Sequence, residues 1–191
     1  MIAELLKKGT AELHTLSEQK NYVREIYNGT LTLEQYETML VRNYWLNLNV
    51  EQAAQNISEL ESLAPLDLAN RKKAHLIVKD LSNMDSPSID LPDEPFPELN
   101  TAETIGALYV TEGSTLGGNI ILKNLMKNKA FEGKNIFNFL SYYGENTSSN
   151  WKTFIVTLSN YYSQNKDKEA DILSGAKKTF EYFVMLSNQL N

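Results

Sequence analysis

The chain has 191 residues and a net charge of −6, with 42% hydrophobic and 22% charged residues. These values are typical of a globular protein with a hydrophobic core, and we expect one domain over residues 1–191. The acidic balance argues against a general nucleic-acid-binding protein, and the absence of cysteine excludes disulfides, thiol catalysis and cysteine-ligated metal centres. No window is apolar over the length of a membrane span, and the N-terminal segment lacks the apolar core of a signal peptide, so we expect a soluble cytoplasmic protein.

Helical periodicity dominates the chain from end to end. The predicted helices span residues 1–20, 32–58, 66–84, 101–129, 134–144, 148–165 and 167–190. Two helices have clear start signals: Thr32 precedes LEQYETML, and Asn100 precedes TAE, with Glu103 placed as in a capping box. Asp67 is predicted to begin the third helix. Since no run of alternating β-branched residues indicates a strand, the predicted fold class is all-α, as one multi-helix domain.

The segment at residues 83–98, NMDSPSIDLPDEPFPE, interrupts the helical pattern. It holds four of the five prolines in the chain and five acidic residues. Because proline at this density is incompatible with a helix interior, the segment is predicted to be a surface loop between helices. Its acidic residues lack the spacing of an EF-hand calcium loop.

The stretch GALYVTEGSTLGGNIILKNL places Gly106, Gly113, Gly117 and Gly118 inside a predicted helix, although each interior glycine costs about 1 kcal/mol relative to alanine. The spacing matches neither a dinucleotide fingerprint, nor a P-loop, nor a membrane dimerisation face. On a helical wheel, the first three glycines fall within about 40° of one another. The large apolar residues are predicted to form a separate core stripe: Ile105, Tyr109, Leu116 and Ile120. A stripe without side chains fits two explanations, a crossing helix or a flat ligand against the backbone.

The chain has two histidines. His75 lies beside aliphatic residues in RKKAHLIVKDL and is predicted to be a partly buried or surface histidine without a ligand role. The small residues Ala11 and Thr10 lie about one turn before His14 and leave room over the imidazole, and Lys7 adds a positive charge two turns before it. An isolated histidine is usually structural, but opposite a bare glycine helix it is what a haem pocket needs as iron ligand. The Glu-x-x-His pairs of di-iron bundles and the Gly-x-Ser-x-Gly elbow of hydrolases are absent from the sequence.

Several segments together resemble one family. LLKKGTAELHTLSE resembles the first helix of the biliverdin-producing haem oxygenases, where L-K-x-x-T-x-x-x-H-x-x-x-E carries the proximal haem ligand. GALYVTEGSTLGG is close to the distal-helix signature of the bacterial, phytochrome-associated branch. SYYGENTSSNWKTF and AKKTFEYF resemble the segment that reaches the propionates and the final helix. The resemblance runs through most of the chain and implies the all-α haem oxygenase fold.

The resemblance also implies site residues and an activity. The implied haem-binding residues are Lys7, His14, Glu18, Lys152 and Phe180, with His14 as the metal ligand. The implied catalytic positions are Gly113, Ser114, Gly117 and Gly118. The implied reaction cleaves haem, both substrate and cofactor, to biliverdin, carbon monoxide and ferrous iron. Electrons would come from a separate reductase or ferredoxin-like donor, and a biliverdin-accepting photoreceptor is a candidate partner.

The sequence departs from the mammalian-type pattern at two positions. Ser114 stands where that pattern has the aspartate of Gly-Asp-x-x-Gly-Gly, and Val156, one turn after Lys152, stands where it has arginine. A hydroxyl holds water but carries no charge, so we expect proton delivery to differ. Two alternatives therefore stay open: a non-catalytic haem-binding or haem-handling protein on the same fold, and a fold relative that binds no haem.

Overall fold

The regular structure of the chain is helical, and a computed structural model describes it over residues 1–61, 63, 66–86, 89 and 91–190, where no strand occurs. The α-helices are α1 (Ile2–Gly9), α2 (Ala11–Lys20), α3 (Val23–Asn28), α4 (Leu33–Gln55), α5 (Ser58–Glu61), α6 (Ala74–Ser82), α7 (Thr101–Leu125), α8 (Thr147–Gln164) and α9 (Glu169–Gln189). Short 3-10 helices lie at Leu68–Arg71, Lys129–Phe131, Gly144–Asn146 and Lys166–Lys168. The all-α fold class is confirmed, while a single domain over 1–191 stays a prediction.

Both predicted helix start signals are confirmed by their hydrogen bonds. At α4, the Thr32 hydroxyl accepts from the amide of Gln35 at 3.2 Å, and the Gln35 side chain accepts from the Thr32 amide at 3.0 Å. At α7, Asn100 and Glu103 exchange the equivalent bonds at 3.0 and 3.1 Å. These reciprocal bonds satisfy amides that have no partner within the helix, which fixes where the two longest helices begin.

The predicted first helix is two helices, α1 and α2, separated at Thr10. The Thr10 hydroxyl donates to the carbonyl of Leu6 at 2.8 Å, a bond that bends helices, and Thr10 itself has φ −115° and ψ 5°. The short helix α3 was not predicted. It lies between two left-handed residues, Tyr22 and Gly29, with φ of 56° and 67°.

The predicted helix at 66–84 is wrong in its first half. Asp67 has a left-handed conformation with φ 49°, and the residues after it form a 3-10 helix rather than an α-helix. Helix α6 begins only at Ala74, because Glu51 of α4 accepts the amides of Lys73 and Ala74 at 2.6 and 3.0 Å. The following loop, predicted over 83–98, has no helix where it is described; residues 87, 88 and 90 lie outside the described part.

The predicted helix at 134–144 is wrong, since this segment consists of irregular chain and turns and then enters a 3-10 helix. Tertiary hydrogen bonds replace the helical ones. Buried Asp80 accepts from the amides of Asn138 and Phe139, both at 2.9 Å, and the Tyr36 hydroxyl donates to the carbonyl of Ile136 at 2.8 Å. We call residues 134–143 the wall segment, because it borders the cavity described below.

Helices α7 and α9 cross at two glycines, and this crossing is central to the core. A Cβ atom on Gly106 would lie 1.9 Å from the carbonyl oxygen of Ile172, and one on Gly175 would lie 1.9 Å from that of Glu103. Only residues without a side chain allow this approach. The crossing-helix explanation of the glycine stripe is therefore correct at Gly106. Helix α2 also packs against α9, so α9 supports both α2 and α7.

Candidate functional site

One face of α7 is open over the glycine stretch. Leu116 and Ile120 are 37% and 50% exposed, and Gly117 beside them has no atom within 4 Å of the place a Cβ would occupy. Gly113, one turn earlier, faces only the ring of Trp151 at 3.5 Å. The prediction that Leu116 and Ile120 belong to a core stripe is wrong, because both share the exposed face with the two glycines. The face is thus apolar and low in side-chain bulk.

Gly118 and Ser114 lie beside this face. Gly118 is buried, and a Cβ there would meet Leu140 of the wall segment at 3.7 Å, an ordinary contact. Ser114 is exposed, and its hydroxyl donates to the carbonyl of Thr111 at 2.9 Å. Since the Ser114 proton is used within the helix, the oxygen presents its lone pairs and acts as an acceptor towards its surroundings.

Helix α2 is weakly covered, because Ser17 is the one residue within it that is buried. The His14 side chain is 57% exposed and its Nδ1 lies 3.7 Å from a carboxylate oxygen of Glu18. The ring of Phe180, from α9, meets the imidazole edge-on with centroids 5.8 Å apart. Glu18 lies beside Nδ1 and Phe180 supports the ring, so Nε2 is the nitrogen available to a ligand.

The two helices converge at a cavity. Asn21, directly after α2, lines a cavity of about 70 Å³ together with Ser114 and Gly118 of α7. His14 lies seven residues, about two turns, before Asn21 on the same side of the chain's path. The imidazole of His14 contacts Phe180 of α9, and both α2 and α7 pack against α9, so the two helices share one support.

The predicted propionate ligands lie on neighbouring helices. Lys7 is exposed in the last turn of α1. Lys152 is exposed on α8, next to Trp151, whose ring reaches Gly113. Val156, one turn on, is 54% exposed. The haem contacts of Lys7, Lys152, Glu18 and Phe180 stay predictions, as do the catalytic roles of Gly113, Ser114, Gly117 and Gly118.

The cavity has polar residues that the sequence did not single out. Besides Ser114, its polar lining includes Asn21, Asn43, Thr115 and Tyr143. The Oδ1 atom of Asn21 is buried and has no hydrogen-bond partner. The Thr115 hydroxyl donates to the carbonyl of Glu112 at 2.7 Å, and one Asn43 amide proton goes to the carbonyl of Met39 at 2.8 Å. The oxygens that remain are acceptors, which suits a cavity that holds water.

A buried charge cluster lies directly behind the cavity. Glu112 is 1% exposed and accepts from Lys73 at 2.6 Å and from Arg71. Its two oxygens also accept from the Tyr143 hydroxyl at 3.2 and 3.0 Å. Sequence reasoning missed this cluster, although one signal was present: Glu112 is the single charged residue between positions 104 and 122. A lone carboxylate on a buried helix needs cationic partners elsewhere in the chain.

Among the described residues, no group of three or more His, Cys, Asp or Glu side chains is arranged to hold a metal ion. His14 thus offers a single protein ligand, with exposed apolar surface on the opposite helix. That donor set fits an iron carried within a flat apolar ring, where one axial imidazole is sufficient. In the part of the chain that the structure covers, no helix combines the length and apolarity needed to cross a membrane.

The fold defines a class, an all-helical protein with an exposed histidine on α2 and a glycine-bearing, apolar open face on α7, both helices packed against α9. The family model described as Heme oxygenase matches residues 1–189, and the chain belongs to that family. No curated protein matches the sequence.

Solved structures share the fold. The heme oxygenase from Neisseria meningitidis, studied with bound NO and CO, is 21% identical, with a TM-score of 0.80; the match covers 100% of this chain and 92% of that one. The heme oxygenase from Leptospira interrogans is 18% identical, with a TM-score of 0.73, and the match covers 99% of both chains. At these identities the likeness concerns the fold.

Proposed function

We propose that this member of the heme oxygenase family binds haem between α2 and α7, with His14 as the iron ligand, and cleaves it to biliverdin, carbon monoxide and ferrous iron. The observation that carries the proposal is the pairing of an exposed imidazole with an open glycine face, in a chain that the family model matches over residues 1–189. Haem, when bound, supplies both the redox-active iron and the ring that is cleaved.

The chain's own residues perform the binding and the exclusion of water. Nε2 of His14 would hold the ring from the α2 side, with Glu18 and Phe180 fixing the imidazole plane. Leu116 and Ile120 would bury their exposed apolar surface against the opposite side of the ring. Gly113 and Gly117 leave space close to the backbone of α7, so a small molecule there would be steered by backbone rather than by bulky side chains.

Two exposed lysines support one orientation of the haem ring in the proposed site. Lys7 and Lys152 are exposed cations on α1 and α8. We propose that they meet the haem propionates, because ammonium groups form charge-assisted hydrogen bonds with carboxylates. This pairing fixes which edge of the ring faces solvent, and so which ring position lies near the α7 glycines.

The reaction also needs electrons that this chain does not carry. Without cysteine, it has no cluster ligands of the kind that iron–sulfur proteins use. We propose a separate reductase or ferredoxin-like donor, a cytoplasmic setting in which such donors operate, and a photoreceptor as an acceptor of the biliverdin. The donor and the acceptor are tested by adding the candidate protein to the hemin-loaded chain and measuring the rate of ring opening. The setting is tested by locating the protein in fractionated cells.

The central test is titration with hemin followed by reduction in air. The wild-type protein should give a Soret band at one hemin per chain, and a reductant should then convert the complex to biliverdin, identified by spectrum and chromatography. His14→Ala should lose that Soret band, while His75→Ala, at an exposed position on α6, should keep it. An unchanged hemin spectrum on mixing would refute haem binding. A haem complex that survives reductant and oxygen would support the non-catalytic alternative instead.

A further inference from the structure

We infer that Tyr143, oriented by the buried carboxylate of Glu112, gives the cavity beside Ser114 an acceptor that is polarised by a negative charge, which the Ser114 hydroxyl is not. This makes Tyr143 a positioning residue for water next to the haem cleft. The inference rests on the proposed function, because it assigns the cavity to proton supply in haem cleavage.

The direction of the Tyr143 hydrogen bond is the first argument. Both oxygens of Glu112 lie within 3.2 Å of the Tyr143 hydroxyl, and a carboxylate only accepts, so the phenolic proton points to Glu112. Burial, and then the charge of Glu112, raise the pKa of Tyr143 well above its ordinary value, so this proton stays in place at neutral pH. The phenol oxygen keeps its lone pairs free, and Tyr143 is one of the residues that line the cavity.

Two buried cations hold the Glu112 carboxylate in the position where it accepts the Tyr143 proton. Arg71 and Lys73 both donate to Glu112, and Lys73 also lies 5.7 Å from the centre of the Tyr143 ring. Tyr142 is the neighbouring titratable group on the wall segment, and its hydroxyl donates away from the cluster to the carbonyl of Asn70 at 2.9 Å. A hydrogen bond to a charged acceptor polarises the donor, so the Tyr143 oxygen becomes a stronger acceptor than a free phenol.

The unpartnered Oδ1 of Asn21 is an independent observation that points to water in the same cavity. This buried acceptor has no partner in the protein, and a buried polar atom without one is rare. The cavity of about 70 Å³ has room for several water molecules. Water donates two protons, so a molecule at this place can bond to Asn21 on one side and to Ser114 or Tyr143 on the other.

A crystal structure of the haem-free protein tests the inference without any turnover. Ordered water should lie within hydrogen-bonding distance of the Tyr143 hydroxyl and of Asn21 Oδ1, and Tyr143→Phe should lose the water on the tyrosine side. A wild-type cavity that holds no water on the Tyr143 oxygen would overturn the inference, whether or not the protein proves to bind haem.

A pH titration of the ferric haem complex tests the electrostatic part. An acceptor near the open coordination position disfavours loss of a proton there, so Tyr143→Phe should lower the pH midpoint of the Soret transition by about half a unit, the size expected for one hydrogen bond. Tyr27→Phe is the control, since Tyr27 is exposed on α3 and does not line the cavity, and it should leave the midpoint unchanged. Adding Ser114→Asp to Tyr143→Phe should restore the midpoint by placing a carboxylate at the cavity.

The outcomes of this titration separate the two claims. A wild-type Soret band with equal midpoints for wild type, Tyr143→Phe and Tyr27→Phe would refute the inference and leave the proposed function standing. A protein without a Soret band would refute the proposed function, and the crystallographic water would still decide whether Tyr143 serves the cavity.

Discussion

Alanine at Gly117 should make the haem-free protein more stable while it weakens haem binding. Gly117 lies inside α7, and a methyl group there would meet no atom within 4 Å, so the substitution adds no clash. Alanine is favoured over glycine in a helix interior by about 0.5–1 kcal/mol, and we expect the free energy of unfolding to rise by about that amount. The same methyl group projects into the open space beside α7, where the proposed site needs a flat surface.

Gly106→Ala is the matched control, because it changes the same residue type in the same helix. A methyl group there would overlap the carbonyl oxygen of Ile172, with a separation of 1.9 Å. Overpacking of a core costs about 1–3 kcal/mol, and a clash with backbone belongs at the upper end of that range. The gain in helix propensity offsets about 1 kcal/mol of this cost. We therefore expect Gly106→Ala to lower the free energy of unfolding by about 2 kcal/mol.

The assay is urea denaturation of the haem-free variants, followed by hemin titration of each variant that folds. Gly117→Ala should show the higher denaturation midpoint and a larger hemin Kd than the wild type. If Gly117→Ala is destabilised, the open face of α7 is not open in solution. If its Kd and its biliverdin yield equal those of the wild type, Gly117 does not border the haem site.

Three further predictions follow from buried polar contacts. Glu112→Gln should lower the free energy of unfolding by about 3–5 kcal/mol, because two buried cations lose their counter-charge; urea denaturation measures this. Burial alone would raise the pKa of Glu103, but hydrogen bonds from Lys178, the Asn100 amide and Ser174 lower it overall. Its contribution to stability is therefore present above pH 4.5 and is lost as the pH falls, and Lys178→Met should flatten that part of the stability profile. Asp80→Ala should expose the two wall-segment amides that it binds, which hydrogen exchange would record as faster exchange at 138 and 139.

Two of these predictions have a control variant. Glu145→Gln removes the charge of an exposed glutamate and should change stability by less than about 0.5 kcal/mol. Lys177→Met, next to Lys178 but in no ion pair found among the described residues, should leave the acid stability profile as in the wild type. An equal effect of Glu112→Gln and Glu145→Gln would contradict the buried cluster. Unchanged exchange in Asp80→Ala would show that other contacts hold the wall segment.

The sequence alone was sufficient to predict helix ends that are stabilised by hydrogen bonds between residues close together in the chain. The caps at Thr32 and Asn100 involve residues three positions apart, so their bonds can be predicted from spacing alone. The segment at 134–144 has a helix-like pattern, but its amides bond to Asp80, more than fifty residues away in the chain. No periodicity within the segment reports on that bond, and tertiary contacts therefore override the local pattern.

The residues of the candidate site also fall into those that the sequence alone identified and those that it missed. His14 and the glycines of α7 were identified because unusual residue types stand out within a helix. Tyr143 was not, because its importance depends on a contact with Glu112, 31 positions earlier in the chain. The wheel also misplaced Leu116, since an apolar side chain on an open cleft has the same sequence pattern as one in a core.

The inferred role of Tyr143 connects the position of Glu112 to the serine at position 114. A carboxylate at Ser114 would face the cavity directly, at an exposed place on α7. Glu112 lies two residues earlier and points into the core, where Arg71 and Lys73 compensate the cost of burying its charge. Tyr143 then carries the influence of that charge to the cavity through one hydrogen bond. On this inference the cavity has an acceptor that stays protonated and neutral at neutral pH, because burial and the charge of Glu112 raise the pKa of Tyr143.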